Sequence, residues 1–273
     1  MDEYPFAMCK EGGKGAHVRA IKRSDNRGSG SFIGHKLRGL PDGATFEIII
    51  VDYWRLMKMQ ENNKLWLEIK EMFETSQTEV TIFNGAGSDS AKICDMLRVT
   101  SASAMGAVML NTSGVVFDDW IRLYGGDTSD RVGISKINLL SKNGTPERVK
   151  QMLIVATDVV GGIFAINSGK FDEGIGDVWY FAPDTLDWED LELRYSEFIA
   201  WLAQGNIDEF YSSMRWTNWR ESAKNVEFDK AILIYPFLWS EEVNIETASK
   251  SIVPFDELFS TNMEYREKFG IGD

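Results

Sequence analysis

Residues 153–181 read LIVATDVVGGIFAINSGKFDEGIGDVWYF, and this stretch decides the fold. It holds three short apolar runs at 153–156, 163–166 and 178–181. Each has strand length and is rich in β-branched or aromatic residues. The junctions at 158–162 and 167–177 carry Gly, Asn and Asp, which turn a chain back on itself. The pattern predicts an antiparallel meander.

Working outward, residues 64–73 place Leu65, Ile69, Met72 and Phe73 on one helical stripe behind an Asn63 cap. A strand is expected at 79–83, and a helix capped by Ser88 or Asp89 runs on to about Leu97. Residues 107–110 and 115–117 flank Asn-Thr-Ser-Gly and suggest a hairpin. Residues 120–124 alternate and predict another strand; a short strand is expected near 134–140. Beyond the meander, Ser196 can cap a helix that ends at Gly205, and Asn206 with Glu209 has capping-box spacing. A helical, aromatic section follows through 216–220. Residues 232–238 read as a buried segment, 254–259 as a short terminal helix, and the last ten residues as a fraying end. The expected fold is α+β: a largely antiparallel sheet covered by helices, mainly on one face.

Charge divides the chain. Residues 1–56 hold nine Lys/Arg against seven Asp/Glu, and eight of the 24 glycines. The remainder holds 20 Lys/Arg against 35 Asp/Glu, and the whole chain has a net charge of −13. We read 1–56 as an N-terminal extension and 57–273 as a single domain. The segments 10–15 and 27–31 have linker composition, whereas 44–53 has strand character. Met57 or Met59 is an alternative translation start. Gly28, Gly30 and Gly34 only approximate a dinucleotide-binding loop, because the last glycine stands one place late.

Several function classes are disfavoured. No run reaches the roughly 20 apolar residues of a membrane span, and Met1-Asp2-Glu3 does not open a signal peptide. A cytoplasmic location without membrane association is expected. So strongly acidic a chain is a poor match for nucleic acid. Cys9 and Cys94 are too few for a disulfide framework or a four-cysteine zinc site. The histidines, His17 and His35, both lie in the extension, which leaves no Ser–His–Asp or Cys–His catalyst in the body. Ser101 and Ser103 lack a basic partner at motif spacing. No cofactor is expected.

The candidate binding residues are Asp158, Gly161, Gly162, Asn167, Asp184, Arg215, Trp216 and Trp219. Each has a structural reading beside the functional one. Gly161 and Gly162 admit either a ligand or a tight connection after Asp158. Asn167 suits a turn and Asp184 a cap. Arg215 with Trp216 and Trp219 suits an interface or planar ligand, and equally an Arg paired with a buried carboxylate under aromatic cover. The acidic set Asp184, Asp187, Glu189, Asp190 and Glu192 lacks calcium-loop spacing and reads as a solvated face.

The residues also carry a family likeness. The landmarks are VTSASAMGA at 99–107, GVVFDDWIRLYGG at 114–126, ATDVVGGIFAIN at 156–167 with Gly169, and VWYFAPDTLDWE at 178–189. They continue with YSEF at 195–198, Phe210-Tyr211, Arg215-Trp216, Trp219 and YPFLW at 235–239. Together they resemble the bacterial family catalogued as domain of unknown function 2625, over residues 60–260. A more distant likeness is to the SUKH superfamily, whose members include immunity proteins against bacterial toxins. The lack of a histidine in the body, of a metal cluster and of a phosphate loop leads to the expectation of a non-enzymatic binding protein, and the SUKH likeness implies an immunity role that meets a basic protein partner. The alternative is an enzyme or small-ligand receptor with a site near residues 158–162 and 215–219.

Overall fold

The computed structural model describes residues 2–4, 17–19 and 53–271, with side chains from Lys64 onward. The chain divides into two compact units, Met1–Val51 and Asp52–Asp273. In the first, β1 (Asp2–Tyr4) pairs antiparallel with β2 (His17–Arg19). The expectations for 10–15, 27–31, 28–34 and 44–52, and for Cys9 and His35, lie outside the described residues.

The second unit is built on a seven-stranded antiparallel sheet in simple sequential order. Its strands are β3 (Val80–Asn84), β4 (Thr112–Phe117), β5 (Ile121–Tyr124), β6 (Met152–Asp158), β7 (Ile163–Asn167), β8 (Asp177–Ala182) and β9 (Asp187–Arg194). The meander expected from 153–181 is β6, β7 and β8, paired in that order. Every residue of β6 is buried, so both sheet faces are covered at its centre.

Eight helices are described. They are α1 (Tyr53–Glu74), α2 (Ser90–Leu97), α3 (Ala104–Asn111), α4 (Ile134–Asn138), α5 (Tyr195–Gln204), α6 (Ile207–Phe210), α7 (Trp219–Ala223) and α8 (Phe255–Lys268). Helices α1, α3 and α5 pack on one another. Phe73 of α1 meets Phe117 of β4 edge-on at 5.1 Å, and Phe198 of α5 lies 5.0 Å from Phe164 of β7. At the α5 start the Arg194 amide donates to the Glu197 carboxylate at 2.8 Å, and Ser196, the expected cap, lies inside the helix. Among the described residues no helix is long and apolar enough to cross a membrane.

Several local expectations need correction. Residues 107–110 are helical, not a strand, so no hairpin forms there. Ser103 caps the helix by accepting from the Gly106 amide at 3.1 Å, and Ala, Met and Leu carry it to Asn111. An apolar run this short has no period that separates helix from strand. Residues 134–138 likewise form α4, whose first-turn amides donate to the Asp127 carboxylate. Helix α1 starts at Tyr53, ahead of the expected cap, and α8 runs to Lys268, through much of the stretch expected to fray. The buried segment near 232–238 is β10 (Lys230–Tyr235), paired with β11 (Ser249–Pro254) in a separate two-stranded sheet.

The second sheet face is covered in part by irregular chain and in part by α8, whose Phe259 and Met263 share a hollow with Trp188 of β9. Residues 223–229 lie over it, and two strand side chains hold them there. Arg122 of β5 donates from Nε and Nη2 to the Val226 carbonyl, at 3.2 and 2.8 Å, and from Nη2 to the Ala223 carbonyl at 3.2 Å. Tyr124 donates to the Phe228 carbonyl at 3.2 Å. The Phe228 ring rests on Gly114, where a Cβ would stand 2.5 Å from it and where φ is +152°. Gly114→Ala therefore meets both a ring and an unfavourable backbone. We expect it to destabilise the fold by about 2–4 kcal/mol in urea denaturation, with Gly85→Ala, strained by its φ of +90° but meeting no neighbouring atom, costing less, about 1–2 kcal/mol.

Candidate functional site

Asp158 ends β6 and is 1% exposed. Its Oδ1 accepts the amides of Val160 at 2.9 Å and Gly162 at 2.7 Å. Its Oδ2 accepts the hydroxyls of Tyr180 at 2.8 Å and Tyr211 at 3.1 Å. Burial pushes the carboxyl upward against the opposing pull of these four donors. Burial and the neighbouring carboxyl raise both phenols, which keeps them protonated donors. Gly162 is required by this arrangement: a Cβ there would sit 2.0 Å from Asp158 Oδ2 and 2.5 Å from the Tyr180 hydroxyl.

Arg215 follows Tyr211 by one helical turn. Its guanidinium lies 3.8 Å from the Trp219 ring centre, 5.0 Å from Trp120 and 5.5 Å from Tyr211. Its Nη2 pairs with Asp118 at 2.7 Å, and both side chains are 7% exposed. Arg220 reaches the other oxygen of the same carboxylate. Trp216 packs on Trp120 at 5.8 Å, beneath the Lys250 ammonium at 4.9 Å.

Asp158 and Arg215 are thus brought together through one side chain, Tyr211, which bonds the first and faces the second. Tyr211 and Trp120 are fully buried. Asn167 stands apart. Its amide donates to the carbonyls of Phe171 and Glu173, both at 2.8 Å, and its oxygen accepts from Gly169 and Phe171, organising the β7–β8 loop. Asp184 occupies the tight β8–β9 connection closed by Leu186 N to Ala182 O at 2.8 Å, and its Oδ1 is buried without a hydrogen bond.

A cleft of about 550 Å³ opens elsewhere, over the second sheet face. Its floor carries Thr81, Phe83, Val116 and Arg122, and its walls are residues 129–132 and 223–229. None of the candidate residues read from the sequence lines it. Arg122 was the available signal: a lone charge inside an apolar strand. Alternation assigns such a residue to solvent, yet Arg122 is 2% exposed. Its cover comes from chain a hundred residues away, which no local pattern contains. Cys94, the described cysteine, is buried and free, its thiol pushed up to about 11 by burial and Asp95.

Truncating Asp158 tests the network. Asp158→Ala leaves four buried donors unmatched and is expected to cost about 3–5 kcal/mol in chemical denaturation. Asp158→Asn keeps an acceptor for the amides, and the tyrosine hydroxyls can rotate to accept from its amide nitrogen. It is expected to lose less than about half as much.

Comparison with known proteins divides the chain where the charge does. Residues 1–49 match the deoxyribonuclease NucA/NucB family. Over 42 residues the chain is 62% identical to the DNA-entry nuclease of Bacillus subtilis strain 168, covering 15% of this chain and 29% of that nuclease. The remainder is 34% identical over 196 residues to the uncharacterised protein YbfG of Escherichia coli K12, covering 71% of this chain and 88% of that one. It is 25% identical over 209 residues to an uncharacterised protein of Haemophilus influenzae, covering 76% and 92%. No solved structure matches the chain significantly. Residues 56–258 match the family described as protein of unknown function DUF2625, and the chain belongs to that family.

Proposed function

We propose that the body of this chain is a non-enzymatic interaction protein that binds and silences a DNA-cleaving enzyme of the NucA/NucB type, as an immunity protein does a toxin. The observation that carries this reading is the junction of two unlike parts. A segment matching a deoxyribonuclease family precedes a domain with 35 acidic and 20 basic residues. An enzyme that grips the phosphate backbone needs a basic surface, and an acidic protein competes for that surface. The distant SUKH likeness supports the same reading.

The acidic face has a place in the fold. Strand β9 closes one end of the sheet and carries exposed Asp187, Glu189 and Glu192, the first of them paired with Arg266 at 3.0 Å. Long-range attraction from such a face speeds encounter with a basic partner and weakens as salt rises.

The test is inhibition. The full chain is titrated into DNA cleavage by the same organism's nuclease most similar over residues 1–49. Cleavage is expected to stop near one equivalent. The triple variant D187N/E189Q/E192Q is expected to bind at least about tenfold more weakly at low salt, and the difference shrinks at high salt. Unchanged cleavage at about tenfold excess, with no complex by size-exclusion chromatography, removes the proposal.

A further inference from the structure

The cleft over the second sheet face has its charges arranged by depth. Arg122 lies at its base, buried, and all its described hydrogen bonds go to backbone carbonyls: Trp120, Ala223 and Val226. Among the described residues no carboxylate stands within ion-pair distance of it. Arg131 enters from the wall. Its guanidinium stacks 3.8 Å above the Phe83 ring, 5.4 Å from Phe228, and Nη1 donates to Ser113 Oγ at 2.9 Å. It too has no ion-pair partner among the described residues, although Asp130 stands next to it in the chain. The stack and the serine hold the guanidinium plane in one orientation, with Nε and Nη2 not engaged by the described residues.

The cleft also carries the acids Asp119, Asp130, Glu227 and Asp229 and the exposed lysines Lys136 and Lys224. Asp130, Glu227 and Asp229 are exposed, and Asp119 is half-buried. Charges in open water are screened over about 8 Å at physiological salt and contribute little to a ligand at the base. Charges at the base act through a poorer dielectric and act more strongly. Burial lowers the Arg122 guanidinium to about 10, against the opposing pull of Tyr124, Asp158 and Asp119.

We propose that this cleft binds a small aromatic carboxylate, its carboxylate received by the Arg131 fork and its ring laid against Phe228, Val116 and Val132. The volume is that of a small-molecule site. A planar guanidinium matches a carboxylate bidentately, which a lysine does not. The buried charge of Arg122 favours an anion and disfavours a cation of the same shape. This site is independent of the nuclease reading, since its residues lie away from β9 and its ligand is not a protein.

Benzoate and benzamidine are the probes, being similar in shape and opposite in charge. Binding to the full chain is followed by isothermal titration and by thermal shift. Benzoate is expected to bind at least about tenfold more tightly than benzamidine. R131Q, folded by circular dichroism, is expected to weaken benzoate at least about tenfold. Should R131Q fail to fold, R131K keeps the charge without the fork and is expected to weaken benzoate at least about threefold. No benzoate signal up to about 10 mM overturns the site. So does equal binding of benzamidine, or undiminished benzoate binding in the folded variant.

Discussion

A carboxylate removed from water organises the body of this protein. An unpaired Asp in such a place would be prohibitive, so the surrounding chain must bring donors to it. Asp158 draws two amides from its own turn, one hydroxyl from β8 and one from the segment after α6. Three separate parts of the chain are thereby held at one point. Gly162 follows from the same constraint, because no side chain fits between the carboxylate and Tyr180. The network is closed, with each carboxylate oxygen accepting two bonds.

Two arginines show how differently the protein treats a buried cation. Arg215 meets a buried carboxylate and lies among three aromatic rings, so charge and packing are both matched. Arg122 meets carbonyls instead, and pins residues 223–226 to the sheet. The first arrangement is self-contained. The second leaves a field at the base of an open cleft, and there the neighbouring Arg131 is also free of an ion-pair partner among the described residues. That contrast separates a structural cluster from a place where a ligand adds something.

The outer surface carries the other half of the argument. Most acids of the body are exposed, with Asp118 and Asp158 the buried ones among the described residues. Under the proposed reading they would draw a large basic partner by long-range attraction, whereas the ligand proposed for the cleft would be held at short range.

The meander was legible in residues 153–181 because strands with a buried face must be apolar and their turns must be flexible, and both signatures are local. The loop role of Asn167 was legible for the same reason: its partners lie within a few residues, whereas the cap of α5 is Arg194 and not the expected Ser196. The helix at 104–111 was misread because an apolar run of that length satisfies either period, and burial alone does not choose. What only the tertiary structure decided is who meets whom. Nothing near Asp158 in the chain announces Tyr211, and nothing near Arg122 announces the carbonyls of 223–226. Composition and spacing determined that this chain folds as an acidic α+β protein. Distances between residues far apart in sequence decided where its charges are silent and where they face open space.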